Sequence, residues 1–177
     1  MNAETYLKHW EQNQIWMHYA WPKHQKRFQT IASMCAGKTC IDVGCGFGHS
    51  TKRLSNFYEA DWTGLEFSSE AIKKAKENFP KLNFIYAENY RLDEICNKKY
   101  DSVICSEVIE HIEDDRAFIS ELMKIVEKKL ILTTPSQHVD DPGHLRIYNA
   151  NMIENLLDGF CYTVKSIGGY YYVEVRR

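Results

Sequence analysis

"IDVGCGFGHS", residues 41–50, decides the fold. An apolar run ends there in Gly44, Gly46 and Gly48, separated by single larger residues. Glycine has no Cβ and enters positive φ without penalty, so such a cluster marks a sharp turn with another group pressed against it. "TCIDV" (39–43) reads as a short strand running into the turn, and "HSTKRLSNFY" (49–58) as a helix leaving it. Strand, glycine turn and helix in that order predict one unit of a parallel sheet, where ligands lie at the carboxyl ends of the strands.

The rest of the chain repeats the alternation. "WTGLEF" (62–67), "NFIYA" (83–87), "YDSVICS" (100–106) and "KLILTT" (129–134) read as further strands. Ser68 suits the N-cap of a helix over "SEAIKKAKENF", with Pro80 as its stop. Phe118, Ile119, Leu122, Ile125 and Val126 recur at helical spacing. Asn149 or Asn151 can cap a helix running through Leu157. "YTVKSI" (162–167) and "YYYVEV" (170–175) flank Gly168 and Gly169, a link that suits an antiparallel hairpin. Residues 1–37 read as helical, with Trp10, Trp16 and Trp21 in the first part and a break at Pro22. Such a segment either packs onto the body or forms a lid over the substrate. The expected architecture is one domain over 1–177, with an N-terminal segment (1–37) and an α/β core (38–177).

The glycine spacing is not the dinucleotide fingerprint, which wants a glycine where His49 stands. A nicotinamide or flavin enzyme is thereby disfavoured. Glu66, at the end of the second strand, supplies a second anchor, since a carboxylate there can accept hydrogen bonds from ribose hydroxyls.

On these residues the chain resembles the class I S-adenosylmethionine-dependent methyltransferases. "CIDVGCGFG" matches that family's first motif and "TGLEFS" the acidic strand end after it. "YDSVICSEVIEHIED" matches the fourth-strand motif, "KLILTTP" the fifth strand, and the closing hairpin the reversed last strand. The resemblance implies a seven-stranded Rossmann-like sheet, mostly parallel with an antiparallel last strand and helices on both faces. It further implies that Gly44, Cys45, Gly46 and Gly48 shape the loop around the methionine part of S-adenosylmethionine. Asp42 would order that loop, Glu66 would hold the ribose and Phe67 would pack on the adenine. Glu88 fits the acid near the adenine amine, while Asn89 replaces the small residue usual beside it. Ser106 and Glu107 would line the cofactor at the end of the fourth strand.

Methyl transfer from a sulfonium is an in-line displacement, so the protein mainly aligns nucleophile and methyl group. A general base is needed where the acceptor must lose a proton. His111, His144 and His49 are the candidates. A helix beginning at Glu107 would put Glu107, Glu110 and His111 on one face. With His144, that face is also a candidate divalent-metal site, able to lower the pKa of an acceptor hydroxyl. In the wider superfamily the same pattern lines the acceptor pocket without metal.

Composition narrows the partners. A net charge of -2 over 177 residues argues against non-specific nucleic-acid binding. No D/N-P-P-Y/F motif follows the fourth strand, where "SEVI" stands, and no Pro-Cys nucleophile occurs, so DNA-base methylation is not indicated. The six cysteines form no CxxC pair and read as reduced thiols, which fits a cytoplasmic protein. No secretory leader and no apolar run long enough to span a membrane is visible. The expectation is a transferase that methylates an oxygen or nitrogen of a small molecule. The alternatives are a metal-assisted RNA 2′-O-methyltransferase and a non-catalytic cofactor-binding partner of another methyltransferase.

Overall fold

The computed structural model describes residues 22–177 other than Asp140, together with Gln12. The aromatic stretch holding Trp10, Trp16 and Trp21, and the lid expected of it, lie outside the described residues. From Pro22 the chain forms α1 (Pro22–Met34), β1 (Thr39–Val43), α2 (His49–Phe57) and β2 (Asp61–Glu66). It continues through α3 (Ser69–Asn78), β3 (Asn83–Tyr86), α4 (Leu92–Cys96) and β4 (Tyr100–Ser106). A 3₁₀ turn (Ile109–His111), α5 (Asp115–Lys124) and β5 (Val126–Pro135) follow. The chain ends with α6 (Ala150–Leu156), β6 (Cys161–Ile167) and β7 (Tyr170–Arg176).

The strands form one seven-stranded sheet in the order β3-β2-β1-β4-β5-β7-β6. The first five are parallel to one another. β7 runs antiparallel to both β5 and β6, so β6 points the same way as the first five. The chain winds outward from β1 through β2 to β3, then returns to place β4 on the other side of β1. The order therefore reverses between β1 and β4, and a crevice opens at their carboxyl ends.

Strand periodicity sorts the core onto two faces, because successive side chains point opposite ways. Ile41, Val43, Val103, Cys105, Leu130 and Leu132 pack on one face with Leu92, Phe118, Leu122 and Ile153 from the helices. Cys40, Ile104 and Ile131 point the other way, onto Phe28 and Ile31 of α1 and Leu54 of α2. Each such fully buried side chain contributes about 1.5–3 kcal/mol by removal from water. Helices thus cover both faces, as a parallel sheet requires.

Caps set several helix starts. The Ser68 hydroxyl accepts from the Ala71 amide at 3.3 Å, Asp114 Oδ1 from the Ala117 amide at 3.0 Å, and Asn149 Oδ1 from the Met152 amide at 3.0 Å. Of the two asparagines, Asn149 is therefore the cap of α6.

Two expectations need correction, and one helix went unread. α5 stops at Lys124, and Ile125 and Val126 leave the helix because β4 claims them. The Tyr100 amide donates to the Ile125 carbonyl at 2.8 Å, and Val126 pairs with Tyr100 beside an irregularity in the β4–β5 register. No α-helix begins at Glu107. That residue has φ 59°, and its amide donates to the Thr133 carbonyl at 2.9 Å, extending the strand ladder before a single 3₁₀ turn. α4, with five residues, is too short to have shown a helical period. No helix among the described residues is long and apolar enough to cross a membrane. All six cysteines are free thiols.

Candidate functional site

The glycine turn sits at the carboxyl end of β1 and is tied to β2. The Gly44 and Cys45 amides both donate to the Leu65 carbonyl, at 2.8 and 3.0 Å. Gly44, Gly46 and Gly48 take φ of 81°, 53° and 82°, the left-handed region that only glycine enters freely. A Cβ on Gly44 would lie 2.4 Å from Val108 Cγ2, so the turn also needs glycine to let the β1 and β4 loops meet. The Cys45 side chain is buried with Ile72, Ala75 and Phe84, which leaves its main chain to meet a ligand. Asp42 is buried beneath the turn. It accepts from the Ser50 hydroxyl at 2.6 Å and the Thr51 hydroxyl at 2.7 Å, pinning the first turn of α2. Burial pushes its carboxyl up, and the two hydroxyls pull it back.

Glu66 does more than the sequence implies. Its Oε2 accepts from the Gly46 amide at 2.9 Å, and its Oε1 from the Phe67 and Ser68 amides at 2.7 and 3.1 Å. Burial raises its carboxyl and these three amides oppose the rise. A carboxylate has about four lone-pair sites, so one on Oε2 remains to accept from a ribose hydroxyl. Phe67 stands beside it in an edge-to-face trio, 4.8 Å from the Tyr90 ring and 6.2 Å from the Phe118 ring. Tyr90 is exposed, and no periodicity or motif in the sequence marks it. Glu88 and Asn89 lie on the adjoining exposed loop, where Asn89 Oδ1 accepts from the Arg91 amide at 2.8 Å. The Asn89 side chain thus shapes its own turn.

At the end of β4 the Ser106 and Thr133 hydroxyls meet at 2.8 Å, and Thr133 donates to Glu107 Oε1 at 3.0 Å. Glu107 Oε2 lies 3.1 Å from Nη1 of the buried Arg27. Glu107 is thereby separated from the acid it was expected to join. Glu110 instead gathers with His111 and His144, their candidate ligand atoms all within 4.8 Å.

Two loop contacts build that cluster. The Leu145 amide donates to the Glu110 carbonyl at 2.9 Å, and the Gly143 amide to Asp141 Oδ1 at 2.8 Å. His111 Nδ1 donates to the Gly143 carbonyl at 2.9 Å. The carbonyl can only accept, so Nδ1 carries the hydrogen and Nε2 the lone pair in the neutral ring. The His111 and His144 rings stand edge to face at 4.8 Å. His144 Nε2 is 3.9 Å from Glu110 Oε1 and 4.0 Å from Asp141 Oδ2. Burial, reinforced by His111, lowers the His144 pKa, while burial and Glu107 raise Glu110 far above the carboxylate range. Glu110 Oε2 accepts from the Thr134 hydroxyl at 3.2 Å, but the buried Oε1 has no hydrogen-bond partner. His49, the third candidate base, lies outside this cluster, at the start of α2 with its ring 5.1 Å from Phe79.

A parallel sheet with a glycine turn at the first strand end and a carboxylate at the second defines a nucleoside-binding α/β protein. Residues 41–132 match the family model described as "Methyltransferase domain", and the chain belongs to the class I S-adenosylmethionine-dependent methyltransferases. Nodulation protein S of Azorhizobium caulinodans is 34% identical over 107 residues, covering 58% of this chain and 51% of that protein. A ubiquinone biosynthesis O-methyltransferase of Rickettsia conorii is 34% identical over 106 residues, covering 58% of this chain and 36% of that one. The chain thus spans about half the length of the first of these relatives, and less of the second. Magnesium protoporphyrin IX methyltransferase from Synechocystis, solved with bound SAM, superposes with a TM-score of 0.66 at 22% identity. The likeness covers 88% of this chain and 80% of that one, and shows the shared fold.

Proposed function

We propose that this chain binds S-adenosylmethionine over the glycine turn and transfers its methyl group to an oxygen or nitrogen of a small molecule. Residues 1–177 act as one catalytic domain, an N-terminal segment (1–37) joined to an α/β core (38–177). The site residues suit the cofactor: one lone pair of Glu66 is left for the ribose, Phe67 and Tyr90 offer aromatic surface for the adenine, and the glycine loop leaves room for the methionine part. When bound, the cofactor supplies a methyl group activated by a positive sulfur. The chain's own task is to orient the acceptor in line with that methyl and to take the acceptor's proton.

The observation that carries this reading is the His111–His144 pair beside the end of β4. His144 is held neutral at pH 7, so its ring can take a proton from the acceptor as the new bond to carbon forms. Similarity to a ubiquinone-biosynthesis O-methyltransferase supports an oxygen acceptor. The test is incubation with methyl-labelled cofactor and separate metabolite and RNA pools. Label is expected in the metabolites. Label entering RNA alone would favour the RNA 2′-O reading, and no turnover together with a stoichiometric partner would favour the non-catalytic one.

A second reading is favoured by one specific feature, the buried and unpartnered Glu110 Oε1 facing His144. Glu110, His111 and His144 would then hold a divalent cation that lowers the pKa of an acceptor hydroxyl. Two imidazoles and one carboxylate suit zinc or manganese better than magnesium. Titration calorimetry of chelator-treated protein with these ions, read beside activity, tests it. No heat and no change in activity would end it.

A further inference from the structure

We infer that Arg146, joined with Tyr148 through Asp115, is a positioning residue that sets His144 against His111 at the reaction site. This rests on the reading above, in which His144 meets the acceptor.

Apolar burial does not hold the loop that carries His144. From Ser136 to Tyr148, Tyr148 is the only buried residue among those described. Val139, Leu145 and Ile147 are all exposed. The loop lies between β5 and α6 and belongs to no helix or strand, so no backbone ladder fixes it either. A segment with so few buried apolar contacts opens at little cost unless side chains fasten it.

Arg146, Tyr148 and Asp115 do the fastening. Asp115 is the first residue of α5, a helix anchored by buried Phe118, Ile119 and Leu122. Its Oδ2 pairs with Arg146 Nη1 and accepts from the Tyr148 hydroxyl at 2.6 Å. Burial and Asp115 push the Tyr148 phenol up, so it keeps its proton and is the donor. Arg146 Nη2 donates to the Glu113 carbonyl at 2.8 Å. One guanidinium therefore grips both a side chain and a main chain of α5 and its lead-in, and its planar fork sets a direction that a single ammonium cannot. Glu113 and Asp115 come just after the 3₁₀ turn of Glu110 and His111, and Arg146 and Tyr148 come just after His144. The clasp thus ties the segment of one histidine to the segment of the other. From the opposite side, the Leu145 amide meets the Glu110 carbonyl at 2.9 Å and His111 Nδ1 the Gly143 carbonyl at 2.9 Å. Held between these contacts and the clasp, the His144 ring stands edge to face on His111. Alignment at a reacting centre tolerates little error, and a displacement of about 1 Å can cost about 10²-fold in rate. The Arg146 guanidinium is engaged on Asp115 and Glu113, so its effect on rate passes through His144.

Two readouts on one set of variants test this. NMR Overhauser contacts between the ring protons of His111 and His144 need no acceptor. They should be present in the wild-type chain and lost in Arg146→Gln. Methyl transfer is read as the rate at which label from methyl-labelled S-adenosylmethionine enters a metabolite extract. Arg146→Gln should slow it about 10- to 100-fold. Its affinity for S-adenosylhomocysteine, measured by calorimetry, should stay unchanged, which a general loss of structure would not allow. Arg146→Lys keeps the charge without the fork and should recover part of the rate. Added to His144→Gln, Arg146→Gln should cost nothing further, because residues that act through one group are not additive. Tyr148→Phe loses only the hydroxyl, should show the same pattern, and provides the readout if Arg146→Gln does not fold. Ring contacts and rate that both persist in Arg146→Gln, or losses that multiply in the double variant, would overturn the inference alone. A His144→Gln chain as fast as the wild type would strike the role of His144 itself and take this inference with it.

Discussion

At Gly44 two demands meet. The backbone is at φ 81°, and a Cβ would sit 2.4 Å from Val108 Cγ2. Gly44→Ala should therefore destabilise the fold by about 1–3 kcal/mol and displace the turn, with cofactor affinity falling as well. Denaturant melts and ligand titration on the same preparation check both. His144 carries the second residue-scale prediction. Its pKa is lowered by burial and by His111, so the neutral, proton-accepting form persists below the ordinary histidine value of about 6.5. If it is the base, the acid limb of the pH–rate profile falls below that value and the rate is flat at neutrality. His144→Gln should then cost about 10²- to 10⁴-fold in kcat, with little change in cofactor affinity. A limb that stays in place in the variant would remove His144 from proton transfer. The glycines and acids at strand ends were legible because each demands a residue type at a spacing. Arg27 and Tyr90 were not, since tertiary packing alone brings them to the site.

Between elements, Asp101 is the main fastening of the turn that joins α1 to β1. Its Oδ2 accepts from the Lys38 and Thr39 amides at 2.7 and 3.1 Å, and its Oδ1 pairs with Lys128 at 2.8 Å. Lys128 and these amides hold its carboxyl well below the usual range. The folded pKa lies below the unfolded one, so the stabilisation is complete above about pH 4 and is lost as pH falls further. Asp101→Ala should cost about 1–3 kcal/mol at pH 7, and the gap to the wild-type chain should narrow steadily as pH falls below about 4. Urea melts across that range measure it. A gap that does not narrow would mean the turn is held by packing instead. Strands and capped helices were readable at this scale because apolar period and cap chemistry are local. The end of α5 and the turn at Glu107 were not, because pairing with a neighbouring strand overrode the helical period there.

For the whole molecule, winding outward from β1 and back to β4 brings five separate stretches to one edge: the glycine turn, Glu66–Phe67, Tyr90, Glu107–His111 and the loop through His144. Strand alternation predicted the parallel sheet and its reversed hairpin, and the reversal of strand order predicted where the crevice lies. The loop from Ser136 to Tyr148 carried no period, yet it completes the site by folding Gly143 and Leu145 back onto His111 and Glu110. The account rests on the grip of Glu66, which spends one acceptor position on the glycine loop and two on the Phe67 and Ser68 amides, and keeps one for the ligand. Titration calorimetry of S-adenosylhomocysteine into the wild-type chain and into Glu66→Ala tests that grip most directly. One molecule should bind per chain, with affinity at least about tenfold weaker in the variant, the loss expected for a contact to a charged group. Absence of binding to the wild-type chain, or undiminished affinity in a folded Glu66→Ala, would contradict it.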